Sequence, residues 1–179
     1  MAFDVANPEA IAWAERNAAR LVTDITTEAQ AAIRTIVTDA FANGVSPSET
    51  AKLIRASIGL TERDAQAVMN AQLKWIAEGV TNATERAEKY AAKLTRRRAQ
   101  TIARTETMRA ANEGQVQLWE QAKQAGLLTG RERKVWLTSD PCPICAPLDG
   151  ETVRLDETFS IGSDPPAHPN CRCTIGLVT

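Results

Sequence analysis

The sequence predicts an α+β protein, in which a mostly α-helical N-terminal bundle precedes a small β-hairpin module fastened by zinc. Alanine is abundant and aromatic residues make up only 4% of the 179 residues, a composition that favours helices. Apolar residues recur at helical spacing to about residue 128, and short β-type runs follow. All four cysteines and the only histidine lie in the second part. We therefore expect a helical domain over residues 1–128 and a β-rich, metal-binding module over residues 129–179.

The start of the chain carries two helix-initiation signals. At Asn7-Pro8-Glu9, Asn supplies an N-cap, Pro suits the first helical position and Glu lies near the positive end of the helix dipole. Thr27 with Gln30 forms a capping box that predicts a second helix ending at Asn43-Gly44. The apolar positions of these two helices are Ile11, Ala14, Ala18, Leu21, Val22 and Ile25, and then Ile33, Ile36, Val37 and Phe41.

Two further helices are predicted before residue 80. Ser46-Pro47-Ser48-Glu49 is a capping box with Pro at the first helical position, and it opens a short helix that ends at Gly59. Thr61 caps the next helix, which runs to Gly79. The apolar residues of this pair are Leu53, Ile54, Ile58, Val68, Leu73 and Ile76.

The segment from Ser46 to Asn70 has the outline of a helix-turn-helix, and the alternative is a helical hairpin within a bundle. Its second helix begins with Glu62-Arg63-Asp64, which is mixed in charge. A DNA-reading helix presents hydrogen-bond donors to base edges and phosphates at that end. The charge pattern therefore favours the hairpin.

A longer helix is predicted from about Asn82 to about Asn112, resuming or bending at Gly114 and ending near Gly126. Residues 86–110 hold eight basic and two acidic side chains, a local charge of +6 in a chain of net charge −1. This surface suits phosphate or an acidic partner. The alternative is that these basic side chains are solvated or form salt bridges with the acidic N-terminal helices. The lack of interleaved aromatic residues for base stacking favours this alternative. The candidate contacts for DNA or a protein partner are Lys89, Lys93, Arg96, Arg97 and Arg98.

The same helix contains the string Ile102-Ala103-Arg104-Thr105-Glu106-Thr107. Threonine is a poor helix former, so two of them in a helix interior indicate side-chain hydrogen bonds. Arg104 and Glu106 are two residues apart and do not face each other on a helix. We therefore expect each to bond a group outside the helix, in the C-terminal module, as a structural polar anchor. The alternative is a catalytic Arg/Glu pair.

In the last fifty residues the spacing of apolar residues changes from that of helices to that of strands. Lys134-Val135-Trp136-Leu137 and Thr152-Val153-Arg154-Leu155 read as strands around an Asp149-Gly150 turn, which predicts a hairpin. Residues 174–178 read as a third strand. About fifty residues are too few to bury an ample core. A bound metal ion can supply the missing stability, because its binding energy becomes folding energy.

Five residues in this module have metal-ligand chemistry. They are Cys142 and Cys145, spaced as C-x-x-C, and His168, Cys171 and Cys173. Zn²⁺ accepts thiolate and imidazole ligands in a tetrahedron. Five candidate ligands compete for four coordination positions. We favour Cys142, Cys145, His168 and Cys171, with Cys173 as the competitor. A site closed by four protein ligands is structural, because catalytic zinc keeps a position open for water.

Other uses of these residues fit less well. Disulfides form in an oxidising compartment, and no signal peptide for export to one is visible, so disulfides are not favoured. No apolar run of about 20 residues is visible either, so no membrane contact is expected. A thioredoxin-type motif lies near a βαβ pattern, and a nucleophilic cysteine beside His168 would leave the other thiols unexplained. Pro141-Cys142-x-x-Cys145 matches half of the zinc deaminase signature, but no histidine precedes it to form the H-x-E half. An HNH-type nuclease also needs more than one histidine.

These motifs, taken in order, resemble the Mu F-like minor head protein family of tailed phages, also called the phage head morphogenesis family. The resemblance rests on the residue 102–107 string with Asn112 and Gly114, and on Cys142-Pro143-x-Cys145. It extends over Leu148-Asp149-Gly150 and over the closing Pro165-Pro166-x-His168-Pro169-Asn170-Cys171-Arg172-Cys173. The helical lead-in contains two further matches, Gly44-Val45-Ser46-Pro47 and Ile58-Gly59-Leu60. After the 102–107 string, the matches also include Lys134-Val135-Trp136, Asp140 and Phe159.

The resemblance implies a non-enzymatic minor capsid protein of the virion. Such proteins join the head in few copies, associate with the portal vertex, and act in head assembly and in DNA packaging or delivery. The implied partners are portal, capsid or scaffold proteins and packaged DNA, with the host cytoplasm as the place of assembly. Some relatives carry toxin domains after this region, and none is expected here. The alternative from another class is a nucleic-acid- or nucleotide-acting enzyme that uses Arg104, Glu106 and His168 beside a structural zinc.

Overall fold

The computed structural model describes residues 8, 11–12, 27–42, 45–55 and 58–179. Within these ranges the helices are α1 (Thr27–Ala42), α2 (Pro47–Arg55), α3 (Glu62–Ala77) and α4 (Ala83–Gln124). Residues 8, 11 and 12 are also helical, and the rest of the first predicted helix lies outside the described residues. The mixed fold class predicted from the sequence is confirmed, with helices first and a small sheet last.

Helix α4 is the element against which the others pack. It has 42 residues, so it is roughly 63 Å long at 1.5 Å per residue. Helices α1, α2 and α3 all contact it. An interruption near Gly114, one of the two predicted outcomes there, is wrong, because α4 is one continuous helix through that residue. The other, a bend at Gly114, stays a prediction. A single glycine costs a helix interior only about 1 kcal/mol relative to alanine, and Gly114 is buried, so packing outweighs its low propensity.

The first core lies where α1 and α2 meet the middle of α4. Its fully buried aliphatic residues include Ile33 and Val37 of α1, Ile54 of α2 and Ile102 of α4. The small residues of α4 in this core are Ala99, Ala103, Ala110 and Ala111. Alanine lets the neighbouring helices approach α4 closely, which explains its abundance in this part of the sequence.

Helix α3 begins where the sequence predicts. The side chain of Thr61 accepts a hydrogen bond from the backbone N–H of Asp64 at 3.1 Å, which satisfies one of the otherwise unpaired amides of the first turn. Because α2 and α3 both pack on α4, this region forms part of a helical bundle. No helix in the described ranges combines the length and the apolar character that a bilayer crossing requires.

The C-terminal region contains a three-stranded antiparallel sheet. Its strands are β1 (Arg133–Leu137), β2 (Thr152–Arg154) and β3 (Thr174–Val178), in the order β2-β1-β3. The β1–β2 hairpin and the third strand agree with the strands predicted from the sequence. Gly150 has φ of 78°, a backbone conformation that favours glycine and accounts for its place in the turn before β2.

A second core lies under this sheet. Trp136 of β1 and Phe159 are fully buried and meet edge to face, with ring centroids 5.1 Å apart. Val116 and Trp119 of α4 belong to the same core, together with Cys145, Cys171 and Cys173. The last turns of α4 therefore complete the core of the C-terminal region, and they bring it close to the cysteines.

Candidate metal centre

Two tight turns carry the five candidate ligands. In the first turn, the backbone N–H groups of Cys145 and Ala146 donate to the carbonyl of Cys142 at 3.0 and 2.8 Å. In the second, the N–H of Cys171 donates to the carbonyl of His168 at 3.2 Å. Each turn folds its side chains to one side, so that the two sets of ligand atoms face each other. The loops are distant in sequence but adjacent in space, as a shared ion requires.

The donor atoms are close together. His168 Nε2 lies 3.1 Å from the Sγ of Cys142 and 3.3 Å from the Sγ of Cys145. The sulfurs of Cys145 and Cys171 are 3.7 Å apart. Two groups of ligand atoms, each mutually within 4.8 Å, share Cys145: one adds Cys142 and His168, the other adds Cys171 and Cys173. Cys145 is thus the common corner of the cluster.

Three of these separations match edges of a tetrahedron around one ion, whereas the ligand atoms of Cys142, Cys145, His168 and Cys171 do not all lie within 4.8 Å of one another. With Zn–S near 2.3 Å and Zn–N near 2.0–2.1 Å, tetrahedral geometry places two sulfurs about 3.8 Å apart and a sulfur about 3.5 Å from a nitrogen. The observed sulfur–sulfur distance of 3.7 Å and sulfur–nitrogen distances of 3.1 and 3.3 Å are close to these values. The cluster can therefore hold a metal ion.

The imidazole of His168 is oriented for this role. Its Nδ1 lies 2.9 Å from the carbonyl oxygen of Pro169, an acceptor, so the ring proton is assigned to Nδ1. Nε2 then carries the lone pair and points at the sulfurs of Cys142 and Cys145. A second hydrogen bond that fixes the tautomer is the usual support of a metal-binding histidine.

The thiols differ in their environments. The backbone N–H of Cys145 donates to the half-buried sulfur of Cys142, which is the largest cause that lowers the pKa of Cys142 to about 7. Burial raises the pKa of Cys145 and of Cys173. A bound divalent cation lowers the pKa of such a buried thiol, because it binds the thiolate directly and supplies the compensating charge. The chemistry of the donor set therefore fits a thiolate-binding metal.

Helix α4 holds the second ligand turn at its Arg104-Thr105 step. The guanidinium Nη1 of Arg104 donates to Oδ1 of Asn170 at 2.6 Å, and the backbone N–H of Asn170 donates to Oγ1 of Thr105 at 2.7 Å. Asn170 lies between His168 and Cys171 and has φ of 66°, which asparagine tolerates better than most residues. These two bonds fix the position of the turn that carries His168 and Cys171.

Asn112 holds the same loop at a second place, two helical turns further along α4. Its Nδ2 donates to the carbonyls of Pro165 and Cys173 at 3.1 and 3.2 Å. Its Oδ1 accepts from Thr174 Oγ1 at 2.8 Å and from the N–H of Ile175 at 3.3 Å. The side chain is 2% exposed, so these bonds lie in a buried setting where an unmade one is costly.

Two charged pairs are buried beside the ligand loops. The ammonium of Lys134 is 2.7 Å from a carboxylate oxygen of Asp164 and 5.5 Å from the ring centroid of Phe159. The carboxylate of Glu106 has no exposed surface and lies 3.8 Å from the guanidinium of Arg109. Burial of a charge requires such partners. The first pair joins β1 to the loop that contains Asp164, and the second lies within α4.

The three residues of the enzymatic alternative occupy different surroundings. Arg104 bonds Asn170, Glu106 is enclosed within the protein, and the Nε2 of His168 faces two sulfurs. They do not line one accessible cleft in this structure. The role of Arg104 and Glu106 as polar anchors stays a prediction, and Arg104 does bond the C-terminal loop.

Sequence reasoning missed several residues that support the cluster. A side-chain hydrogen bond was expected of Thr105, but not its partner Asn170. Asn112 stands in the sequence analysis only as part of a motif, and the buried partnership of Lys134 with Asp164 was not predicted at all. A usable signal was present for Asn112, because asparagine is an unfavourable residue in the interior of a helix and implies a hydrogen-bonding task. Lys134 is part of a predicted strand, and nothing in the neighbouring sequence indicates that its side chain is buried.

The candidate basic contacts lie on the outward side of α4. Lys89, Lys93, Arg96 and Arg97 are exposed, and Arg98 is half-buried. Lys89 forms an ion pair with Glu85, one turn before it. The remaining positive charge faces solvent along about three helical turns.

Comparison with known proteins adds one finding. A family model described as "Phage Mu protein F like protein" matches residues 31–176. This range includes all of α2, α3 and α4, the sheet except its last residues, and all five candidate ligands. Neither the curated proteins nor the solved structures contain a match.

Proposed function

We propose that this chain, which belongs to the phage Mu protein F like family and is thereby a phage head morphogenesis protein, is a non-enzymatic minor capsid protein of the portal vertex. It acts there in head assembly and in DNA packaging or delivery, in the virion and, during assembly, in the host cytoplasm. The observation that carries the proposal is the family match across residues 31–176. The architecture supports it, because a bundle on one long helix, joined to a fastened module, provides rigid surfaces for assembly.

The test of this function follows the protein into particles. A phage that carries a tagged copy is grown, and procapsids, portal complexes and mature virions are separated by sedimentation. We expect the tagged chain with portal complexes and procapsids, and head yield or packaged DNA to fall when its gene is removed. A chain that stays at the top of the gradient, and a deletion that leaves heads and packaged DNA unchanged, would contradict the proposal.

We further propose that the cluster holds one structural zinc ion through Cys142, Cys145, His168 and Cys171. When bound, zinc stabilises the thiolates and cross-links the two turns. The choice of Cys171 over Cys173 is supported by its 3.7 Å contact with Cys145 and by the N–H of Cys173, which lies 3.5 Å from the Cys171 sulfur. Hydrogen bonds of this kind typically support a ligating group.

The ligand assignment predicts a difference between two single variants. Cys171→Ser should lose zinc to a chelator at concentrations where the unmodified protein keeps it. Cys173→Ser should keep one zinc per chain, because its sulfur is not needed for the tetrahedron. Zinc retention is measured by competition with a chromophoric chelator. The opposite pattern would move the fourth ligand to Cys173.

The division of the chain at residue 128 is also a proposal. We expect residues 129–179 to need α4 for their fold, since Val116 and Trp119 of α4 belong to the core under the sheet. Asn112 and Thr105 add hydrogen bonds from the same helix. The module is therefore better regarded as docked on the bundle than as independent of it.

The basic side of α4 is the surface we assign to an acidic capsid-related partner or to packaged DNA. The supporting observation is the exposure of Lys89, Lys93, Arg96 and Arg97 on one helix. Replacing Lys89, Lys93 and Arg97 by Glu should reduce incorporation into procapsids or binding to DNA, since contacts with phosphate and acidic groups depend on positive charge. The matched control changes the exposed Lys123, Arg131 and Arg133 to Glu, which alters the net charge equally at another place. Equal loss in both triple variants would leave the surface without a specific role.

A further inference from the structure

The cysteine cluster lines a cavity of about 210 Å³ that charged residues border on the solvent side. Cys145 and Cys171, which line the cavity, are buried. Asp140 and Arg172 line the same cavity and are exposed. These two charged side chains therefore form part of its rim, on the side from which solvent or a competing chelator reaches the cluster.

An ion pair joins the two ligand turns at this rim. Nη1 of Arg172 donates to Oδ2 of Asp140 at 2.6 Å, a short charge-assisted hydrogen bond. Asp140 precedes Cys142 by two residues, and Arg172 lies between Cys171 and Cys173. The hydrogen bonds from α4 hold the turn that carries His168 and Cys171. The ion pair ties the other turn to it.

The backbone at Asp140 restricts which residue can make this pair. Its φ is 60°, a left-handed conformation that aspartate and asparagine tolerate better than most other residues. Aspartate therefore satisfies the turn and also supplies a carboxylate for the guanidinium of Arg172. Because asparagine suits the same backbone without the charge, Asp140→Asn removes the ion pair while it preserves the turn.

We infer that the Asp140–Arg172 ion pair is a latch that slows the release of the metal ion from the cluster. The inference rests on the proposed zinc site and adds the residues that regulate it. The ion leaves when the two turns part, and the turns part only after the pair has opened. The side chains of Arg172 and Asp140 are 48% and 78% exposed, so solvent weakens their attraction. An exposed pair of this kind changes the rate of release by roughly two- to fivefold.

The test measures how fast zinc leaves the full-length chain after it is loaded with one zinc ion. A chromophoric chelator is supplied at concentrations where the rate no longer depends on it, so its absorbance follows dissociation from the protein. At low salt, Asp140→Asn and Arg172→Gln should each release zinc roughly two- to fivefold faster than the unmodified protein. The double variant should be no faster than the faster single variant, because both changes remove one interaction. Arg172→Lys keeps the charge and should release zinc more slowly than Arg172→Gln.

Salt and a second ion pair supply the controls. Higher ionic strength should accelerate release from the unmodified protein to the rate of Asp140→Asn, since salt screens exposed charges. This measurement tests the latch without any substitution. Asp156→Asn removes a charge from the exposed Arg154–Asp156 pair at 3.1 Å, which does not line the cavity. It should release zinc at the unmodified rate.

Three results would overturn the latch. The first is an equal rate of release for Asp140→Asn and the unmodified protein at low salt. The second is a double variant accelerated by the product of the two single effects, because the side chains then act independently. The third is a rate ratio that stays constant as salt is raised, because the effect is then not electrostatic. A purified chain that binds no zinc contradicts the zinc site itself and the latch with it, and elemental analysis shows this before any rate is measured.

Discussion

At the level of single residues, Asn112 is the side chain on which the metal-ligand loop most depends. One amide makes four hydrogen bonds to Pro165, Cys173, Thr174 and Ile175. Both of its donors and both acceptor positions of its oxygen are thereby used. A helix residue that satisfies four groups of another segment fixes that segment in register as well as in position.

Asn112→Ala should lower the free energy of unfolding by roughly 2–4 kcal/mol, because it leaves several buried donors and acceptors without their partner. Urea unfolding of the zinc-loaded protein measures the change. Asn82→Ala is the control, since Asn82 precedes α4 and its side chain makes no capping hydrogen bond. It should change stability by less than about 0.5 kcal/mol. Equal effects at the two positions would remove the special role of Asn112.

Glu132 predicts how the stability of the fold depends on pH. Its carboxylate accepts from the backbone N–H of Thr129, which is the largest cause that lowers its pKa from 4.5 to about 2, and from the N–H of Gly130 at 2.8 Å. A carboxyl with a depressed folded pKa stabilises the fold above its unfolded pKa. That contribution is lost as the pH falls from about 4.5 through about 2.

The carboxyl carbon resonance of Glu132 should therefore titrate near pH 2, and Glu132→Gln assigns it by its disappearance. The stability difference between that variant and the unmodified protein should shrink as the pH falls through this window. A titration midpoint near 4.5 would show that the turn at Thr129 does not hold the carboxylate.

At the level of elements, helix α3 depends on the cap at Thr61. Thr61→Ala should cost about 1 kcal/mol, because the N–H of Asp64 loses its side-chain acceptor. Thr61→Ser keeps the hydroxyl and should cost much less. Thermal unfolding of the three proteins measures the difference. Equal stability of the Ala and Ser variants would mean that the cap contributes nothing.

Most elements could be predicted from local signals. The error at Gly114 arises where packing outweighs the local propensity. The cap at Thr61 and the turn at Gly150 act within a few residues, so the sequence alone is sufficient to predict them. At Gly114 the low helix propensity of glycine predicts an interruption or a bend. The burial that keeps α4 continuous there comes from segments distant in sequence, which a local pattern does not contain.

At the level of the whole molecule, two cores share one long helix. The first core joins α1 and α2 to the middle of α4, and the second joins the end of α4 to the sheet and the cysteines. The candidate ligands were predictable because cysteine and histidine spacing is itself the chemical signal. The hydrogen-bond partners of Thr105 and Asn112 were not, because these bonds join residues more than fifty positions apart.

Removal of metal should loosen one core and spare the other. With a strong chelator, amides of β1, β2 and β3 should exchange with deuterium much faster, because metal binding energy contributes to the fold of that region. Amides in α1 and α2, which pack against the middle of α4, should keep their protection. Readdition of Zn²⁺ should restore the slow exchange. Loss of protection throughout the chain would contradict two separable cores.

The central claim is that one ion, held by both turns, fastens the C-terminal module. Native mass spectrometry of the purified full-length chain, with elemental analysis of the same sample, tests it most directly. The account predicts one zinc per folded chain, lost together with the compact charge-state distribution in a variant with Cys142, Cys145, His168 and Cys171 replaced. A metal-free chain with the same compact distribution, or a fully folded quadruple variant, would contradict it.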